Sequence, residues 1–257
     1  MHEEIRRQIE SARTRIALAR RMVVLSGAGM SSESGIPTFR DAQTGLWARY
    51  DPMQLASAEG FRTNPRVAWD WYAERRASVR AALPNAGHLA LAKFAQTHPG
   101  RLQVITQNVD DLHQRAGSAD VIRLHGDILQ SRWLGPCTRR EACDPAEAEP
   151  ERPPYCRQCG NLVRPAVVWF GEMLPPDALL RAEHAAGHCD LMLVVGTSGS
   201  VHPASSLAGM ARDAGASVLI VNPHASDLDP VAHQCLRGTA AKVLPILLND
   251  SLLDDAG

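Results

Sequence analysis

The sequence predicts an α/β fold, a parallel sheet with helices on both faces. Six apolar, β-branched runs of strand length are MVVLS (22–26), LQVIT (102–106), VIRL (121–124), LMLVVG (191–196), SVLIVN (217–222) and KVLPIL (242–247). Helical patterns separate most of them, at 87–96, 109–116, 177–187, 203–214 and 228–236. Continuous apolar strands alternating with helices fit a sheet buried on both sides. The bulk numbers agree: 257 residues, 45% hydrophobic and 21% charged, suffice for one large domain and argue against disorder.

Residues 3–20 read as a helix with Ile5, Ile9, Ala12 and Ile16 on one side. It is highly charged and has no apolar core like that of a signal peptide, so no secretory leader is expected. No apolar run reaches membrane-spanning length, so a soluble cytoplasmic protein is expected. The net charge of -1 leaves no basic surplus for dedicated nucleic-acid binding. Six cysteines in a reducing compartment favour metal or free thiols over disulfides. Two segments interrupt the strand–helix rhythm. Residues 42–85 hold a loop and a helix opened by Asn64 and Pro65. Residues 130–165 hold four Cys, an acidic run and several Pro. Both read as insertions forming a smaller layer on the main sheet.

The first strand ends in Gly27-Ala28-Gly29, where backbone N–H groups and a helix N-terminus could meet a pyrophosphate. Gly27-x-Gly29 alone fits a tight turn equally well. The third glycine of the dinucleotide fingerprint is replaced by Ser32, and the acidic residue expected about twenty residues on is absent, which argues against hydride transfer. Other features favour a nucleotide. Ser26, Ser31, Ser32 and Ser34 bring hydroxyls, and Arg40 brings a cation suited to phosphate. Gly196-Thr197-Ser198 forms a second donor-rich loop, and Asn222 ends a strand where an amide could hold ribose hydroxyls. All these loops follow strand carboxyl ends, where open sheets bind ligands. The next strands end in Gln107, Asn108 and Asp110, and in His125 before Gly126. His125 at a strand terminus is a candidate general base. His113 could simply pack or cap a helix.

GAGMSSESGIPTFRD, TQNVDDLHQRAG, LHGD, the paired Cys, VVWFGEML and GTSGSVHPA occur in the order found in sirtuins. Over roughly Met22 to Ile246 the chain resembles these NAD-dependent protein-lysine deacylases, and in particular the bacterial class III, desuccinylase-like type. The resemblance implies one catalytic domain over 1–257. Residues 1–41, 98–129 and 166–257 would form a Rossmann-like NAD-binding part, 42–97 a helical insertion and 130–165 a zinc module.

It also implies that NAD+ is consumed. The acyl oxygen of the substrate attacks the nicotinamide ribose, and His125 takes a proton from that ribose. Free lysine, nicotinamide and O-acyl-ADP-ribose result. Asn108 would orient ribose or water. Asp110 and the Ile36 backbone would grip the carboxamide, Phe39 would shield the reactive face, and Arg40 would meet phosphate. Trp47, Gln107 and Ala240 complete the implied cofactor contacts. VVWFGEML (167–174) would offer an edge for an acyl-lysine peptide, with Val168, Trp169, Phe170 and Gly171 lining the channel. VVWF also reads as a buried strand, and one face can pack while the edge pairs. The implied partners are acylated lysines of proteins, and a monomer is expected.

Cys156 and Cys159 form a zinc-knuckle half. Cys137 and Cys143 are separated by five residues instead of the usual two, yet four thiolates could close a structural Zn2+ site. Cys189 and Cys235 read as simple packed or semi-exposed thiols. In desuccinylase-type sirtuins a Tyr-x-x-Arg motif sits on the helix of the insertion, and Tyr72-Ala73-Glu74-Arg75 matches it. Arg offers a fork for a terminal carboxylate and Tyr one further donor. Arg75 could instead pair with Asp70 or Glu74, and Arg76 reads as a surface residue. Removal of succinyl or malonyl groups, with weaker deacetylation, is therefore expected. A general deacetylase, an ADP-ribosyltransferase and a non-enzymatic NAD-binding module are the competing functions.

Overall fold

The computed structural model describes residues 2–37, 50–136 and 152–249. Among them a six-stranded parallel sheet has the order β3-β2-β1-β6-β7-β8. Its strands are β1 Met22–Ser26, β2 Leu102–Thr106, β3 Val121–Arg123, β6 Leu191–Val195, β7 Ser217–Val221 and β8 Gln234–Leu236. Every residue of the central strands β1 and β6 is buried, as a strand covered on both faces requires.

Side-chain alternation divides the core into two layers. Val24, Leu193, Val195, Leu219 and Val221 pack beneath α1 (His2–Leu18), α5 (Ala86–Thr97) and α9 (Ala240–Leu247). Val23, Leu25, Met192, Val194, Val218 and Ile220 pack beneath α7 (Pro176–His188) and α8 (Ser206–Asp213). Arg13 joins the chain ends by donating to the carbonyls of Ile246 (3.2 Å) and Asn249 (3.0 Å) beside α1.

Three expectations change. KVLPIL is not a strand, because it belongs to α9. Ala240, Val243, Leu244 and Leu247 are buried at helical spacing, and a short apolar run does not reveal its own period. The helical pattern at 228–236 resolves into a 3-10 turn, Asp229–Val231, followed by edge strand β8. The helix expected at 109–116 shortens to α6, Leu112–Arg115.

A third apolar cluster lies beside the sheet. It joins α2 (Pro52–Leu55), α3 (Ala58–Thr63) and α4 (Pro65–Ala81) to the antiparallel pair β4 (Gly126–Trp133) and β5 (Val163–Val167). Phe61, Trp71, Tyr72, Ile128 and Trp169 are buried there. α5 packs on the main sheet through Leu91 and Phe94 rather than with the helical insertion. Likewise β4 begins at Gly126, directly after His125, and runs into the segment of the paired cysteines. Among the described residues no helix is long and apolar enough to cross a membrane.

Candidate functional site

The two glycine loops lock together backbone to backbone. Gly27 N–H donates to the Val195 carbonyl (2.9 Å), and Gly29 N–H to that of Gly196 (2.8 Å). A Cβ on Gly29 would lie 2.8 Å from the Gly196 Cα, and one on Gly27 would lie 2.6 Å from the Thr197 Cβ. Gly196 adopts φ +61, and its own Cβ would meet the Gly29 carbonyl carbon at 2.5 Å. The Gly27 and Gly29 amides are therefore engaged by the neighbouring loop, so these two glycines shape the loop beside the cavity instead of presenting open donors to it. Ala28, between them, lines the cavity.

Asn222 is also engaged inside the protein. Its Nδ2 donates to the Thr197 carbonyl (3.0 Å), and Gln107 Nε2 reaches Thr197 Oγ1 (3.2 Å). Both residues brace the second loop, while Ser198 is exposed beside it. Ser34 Oγ accepts from Asn85 Nδ2 (3.0 Å) at the N-cap of α5. Ala240 is a core residue at the start of α9, so its side chain faces the apolar cluster.

Ser31 organises the polar floor. It donates to Asp110 Oδ2 (2.9 Å), accepts from Asn108 Nδ2 (3.1 Å) and lies 3.5 Å from His88 Nε2. Asp110 also accepts from Leu112 N–H (3.1 Å). Burial raises the Asp110 carboxyl above its usual range, and the Leu112 and Ser31 hydrogen bonds oppose that. Beneath it His113 Nε2 lies 2.9 Å from Ser26 Oγ, which donates to Thr106 Oγ1 (2.8 Å). His113 is thus a packed member of a buried network. Burial lowers its pKa to about 3 and that of His88 to about 4.

His125 stands at the end of β3 with Nδ1 2.8 Å from the Gln107 carbonyl. A carbonyl only accepts, so Nδ1 carries the proton and Nε2 keeps its lone pair. Burial lowers the pKa of the ring, and the hydrogen bond to Gln107 partly restores it. The imidazole is therefore a neutral base near pH 7, in the tautomer that presents Nε2.

A cavity of about 670 Å³ brings the expected residues together. Ala28, Ser31, Ile36, Gln107, Asn108, Asp110 and His125 line one part of it. Val168, Trp169, Phe170 and Gly171 line another, with Tyr72 and Arg75. Arg75 thus faces the cavity. Its guanidinium lies over Trp71, Cζ to centroid 4.8 Å. Burial lowers the Arg75 pKa, against the pull of Tyr72 and Asp110. The Tyr72 hydroxyl is pushed up to about 12 by burial and accepts from Trp169 Nε1 (2.9 Å). Arg76, expected on the surface, is buried: it donates to the carbonyls of Ile128 (2.6 Å) and Gln130 (2.8 Å) and ties α4 to β4.

The expected peptide edge is partly used. Val168 N–H donates to the His125 carbonyl (2.9 Å) and Phe170 N–H to that of Ala56 (2.9 Å). Trp169 is buried between them, and Phe170 is half-exposed. Cys156 and Cys159 lie on a turn closed by Gly160, which at φ +70 donates to the Cys156 carbonyl (2.8 Å). Phe39, Arg40, Trp47, Cys137 and Cys143 lie outside the described residues.

The sequence reading missed the hub role of Ser31, the burial of His88 and Arg76, and the pair Arg164–Glu172. The pair brackets the apolar run 165–170, and two charges flanking such a run are the signal that could have pointed to it.

A model described as the Sir2 family matches residues 27–203. The NAD-dependent protein deacylase of Ralstonia nicotianae is 53% identical over 237 residues, covering 92% of this chain and 94% of that protein. A Sir2 homolog–NAD complex superimposes with TM-score 0.84 at 43% identity, over 96% of this chain and 94% of its own. A Sir2–p53 peptide–NAD+ complex follows at TM-score 0.79 and 31% identity, over 95% of this chain and 97% of its own.

Proposed function

This chain belongs to the Sir2 family, and from that premise we propose that it removes succinyl and malonyl groups from protein lysines, and acetyl groups more weakly. The coarser activity is NAD-dependent protein deacylation, the activity named for its relatives. One observation carries the finer reading: Tyr72 and Arg75 line the same cavity as His125 and Asn108. A dicarboxylic acyl group brings its terminal carboxylate to the deep end of that cavity. Left unpaired there it would cost several kcal/mol, roughly. The Arg75 guanidinium supplies the fork and Tyr72 the hydroxyl donor.

NAD+ supplies the ADP-ribose that accepts the acyl group and lets nicotinamide leave. His125 Nε2 takes the ribose proton. Asn108, held by Ser31, orients the ribose or a water, and Asp110 with the Ile36 backbone holds the carboxamide. Val168 and Trp169 form walls of the acyl-lysine channel, and Phe170 and Gly171 its mouth. By the family resemblance Phe39, Arg40 and Trp47 would serve the cofactor, as would Gly27, Ala28, Gly29, Ser34, Gln107, Gly196, Thr197, Ser198, Asn222 and Ala240. For several of these, support for the ligand is indirect, through the loops they brace. Cys156 and Cys159 fit half of a structural Zn2+ site, since two thiols across a tight turn suit tetrahedral thiolate coordination. Cys137 and Cys143 would supply the rest.

Succinyl-, malonyl- and acetyl-lysine peptides with NAD+, read by mass, test the reading. Arg75→Met should lower succinyl turnover about a hundredfold and acetyl turnover only a few-fold. Equal losses would sink the carboxylate assignment. His125→Ala should abolish turnover of all three. Label from NAD+ found on protein rather than on O-acyl-ADP-ribose would favour ADP-ribosyl transfer instead.

A further inference from the structure

Trp169 is gripped by two charges that the proposed chemistry does not use, one of which, Glu172, also lines the cavity. Arg164 on β5 is almost wholly buried, 1% exposed, and its guanidinium lies over the indole with Cζ 3.2 Å from the ring centroid. Its Nη1 donates to Glu172 Oε1 (2.5 Å) and its Nη2 to Glu172 Oε2 (3.0 Å). Nη2 also donates to the Val167 carbonyl (2.5 Å) and Nε to that of Pro165 (3.2 Å). Glu172 Oε2 accepts in addition from Trp169 N–H (2.9 Å) and Arg132 Nη2 (3.0 Å). Glu172 N–H closes the turn onto the Trp169 carbonyl (3.0 Å), and Gly171 inside it holds φ +81. Backbone and indole are thus fixed at once, between a cation and a carboxylate that satisfy each other.

The grip reaches the acyl end of the cavity. Trp169 Nε1 donates to the Tyr72 oxygen at 2.9 Å. That donation fills an acceptor position on the phenol, so the Tyr72 O–H must point elsewhere. Tyr72 and Trp169 both line the cavity, and Arg75 stands one helical turn from Tyr72. A rotated indole would free the phenol to turn its hydrogen onto the indole side, losing the donor.

We propose that the Arg164–Glu172 pair is the positioning device of the acyl-lysine channel: it fixes the 169–172 turn and, through the Trp169 indole, aims the Tyr72 hydroxyl at the acyl terminus. Arg164 and Glu172 are positioning residues, acting through Trp169 and Tyr72. The aim on the acyl terminus rests on the dicarboxylic reading above, while the fixing of the turn does not.

The test is steady-state kinetics on the full chain with succinyl- and acetyl-lysine peptides, varying peptide and NAD+ separately. Arg164→Met should raise the peptide KM about tenfold and hold the NAD+ KM within about twofold. The succinyl-over-acetyl preference should fall by a similar factor. Arg164→Lys should recover part of the loss, because an ammonium can still pair with Glu172 but cannot stack flat on the indole. Unchanged peptide KM values with only kcat lowered, or NAD+ and peptide KM rising together, would overturn the proposal. If Arg164→Met does not fold, Glu172→Gln answers by the same criteria, since it keeps the shape and removes the charge. The dicarboxylic reading is judged separately on wild type and Arg75→Met. If it fails, a selective rise in peptide KM on Arg164→Met still upholds the fixing of the turn, and its absence still overturns it.

Discussion

His125, His88 and His113 all have pKa values lowered by burial, with different consequences. His125 is a base, and a lowered pKa extends its working form to more acidic pH. The acidic limb of kcat/KM should therefore fall below the ordinary histidine value of about 6.5. A limb above that value would remove His125 as the group being titrated. His88 and His113 are buried neutral, so the unfolded chain takes up protons before the folded one does. Their contribution to stability is whole above about pH 6.5 and is lost as pH falls through about 4 and then about 3. Between pH 6.5 and 5 each should cost about 2 kcal/mol. Thermal unfolding should show Tm falling over that window, and His113→Asn should flatten the fall. An unchanged slope would exclude His113 as a contributor. His125 stood out in the sequence because it ends a strand and precedes a glycine. The other two did not, since only tertiary packing brings Ser26, Ser31 and Thr106 around them.

At the level of elements, the loop after β1 and the loop after β6 fit against each other backbone to backbone. Gly196 has a positive φ and no room for a Cβ against the backbone of Gly29 and Met30. Gly196→Ala should cost about 3 kcal/mol or more and raise the NAD+ KM more than the peptide KM, as calorimetry and kinetics would show. A variant of wild-type stability would mean that the loops can part freely. Strands β1 and β2 were legible to the residue because each is a short run rich in apolar and β-branched residues closed by a hydroxyl residue, with Gln103 the one polar interruption in β2. KVLPIL defeated the same rule. Its buried positions 240, 243, 244 and 247 begin before the apolar run does, so the helical stripe is visible only when Ala240 is counted with it. The glycines were legible as a tight turn. Their true partner, another glycine loop, could not be found without the pairing of β1 with β6.

For the molecule as a whole, the cavity lies between the sheet layer and the layer of α4 with β4 and β5. A ligand that touches both should stabilise the whole fold by mass action. NAD+ at about a hundred times its Kd should add roughly 2.7 kcal/mol, a Tm rise of about 5–10 °C. His125→Ala should keep that rise while losing turnover, which separates binding from chemistry. No rise in either protein would show that the native state does not bind NAD+ under those conditions.

The strand order has a consequence for biosynthesis. β1 lies between β2 and β6, and β6 begins at Leu191, late in the chain. Until that residue has been translated, the central strand has only one neighbour, and the first glycine loop lacks the carbonyls of Val195 and Gly196. A nascent or truncated chain ending before Leu191 therefore cannot assemble the nucleotide pocket, although it already carries His125, Tyr72 and Arg75. The strand order thus places the completion of the paired glycine loops late in synthesis, after most of the other cavity-lining residues have been made.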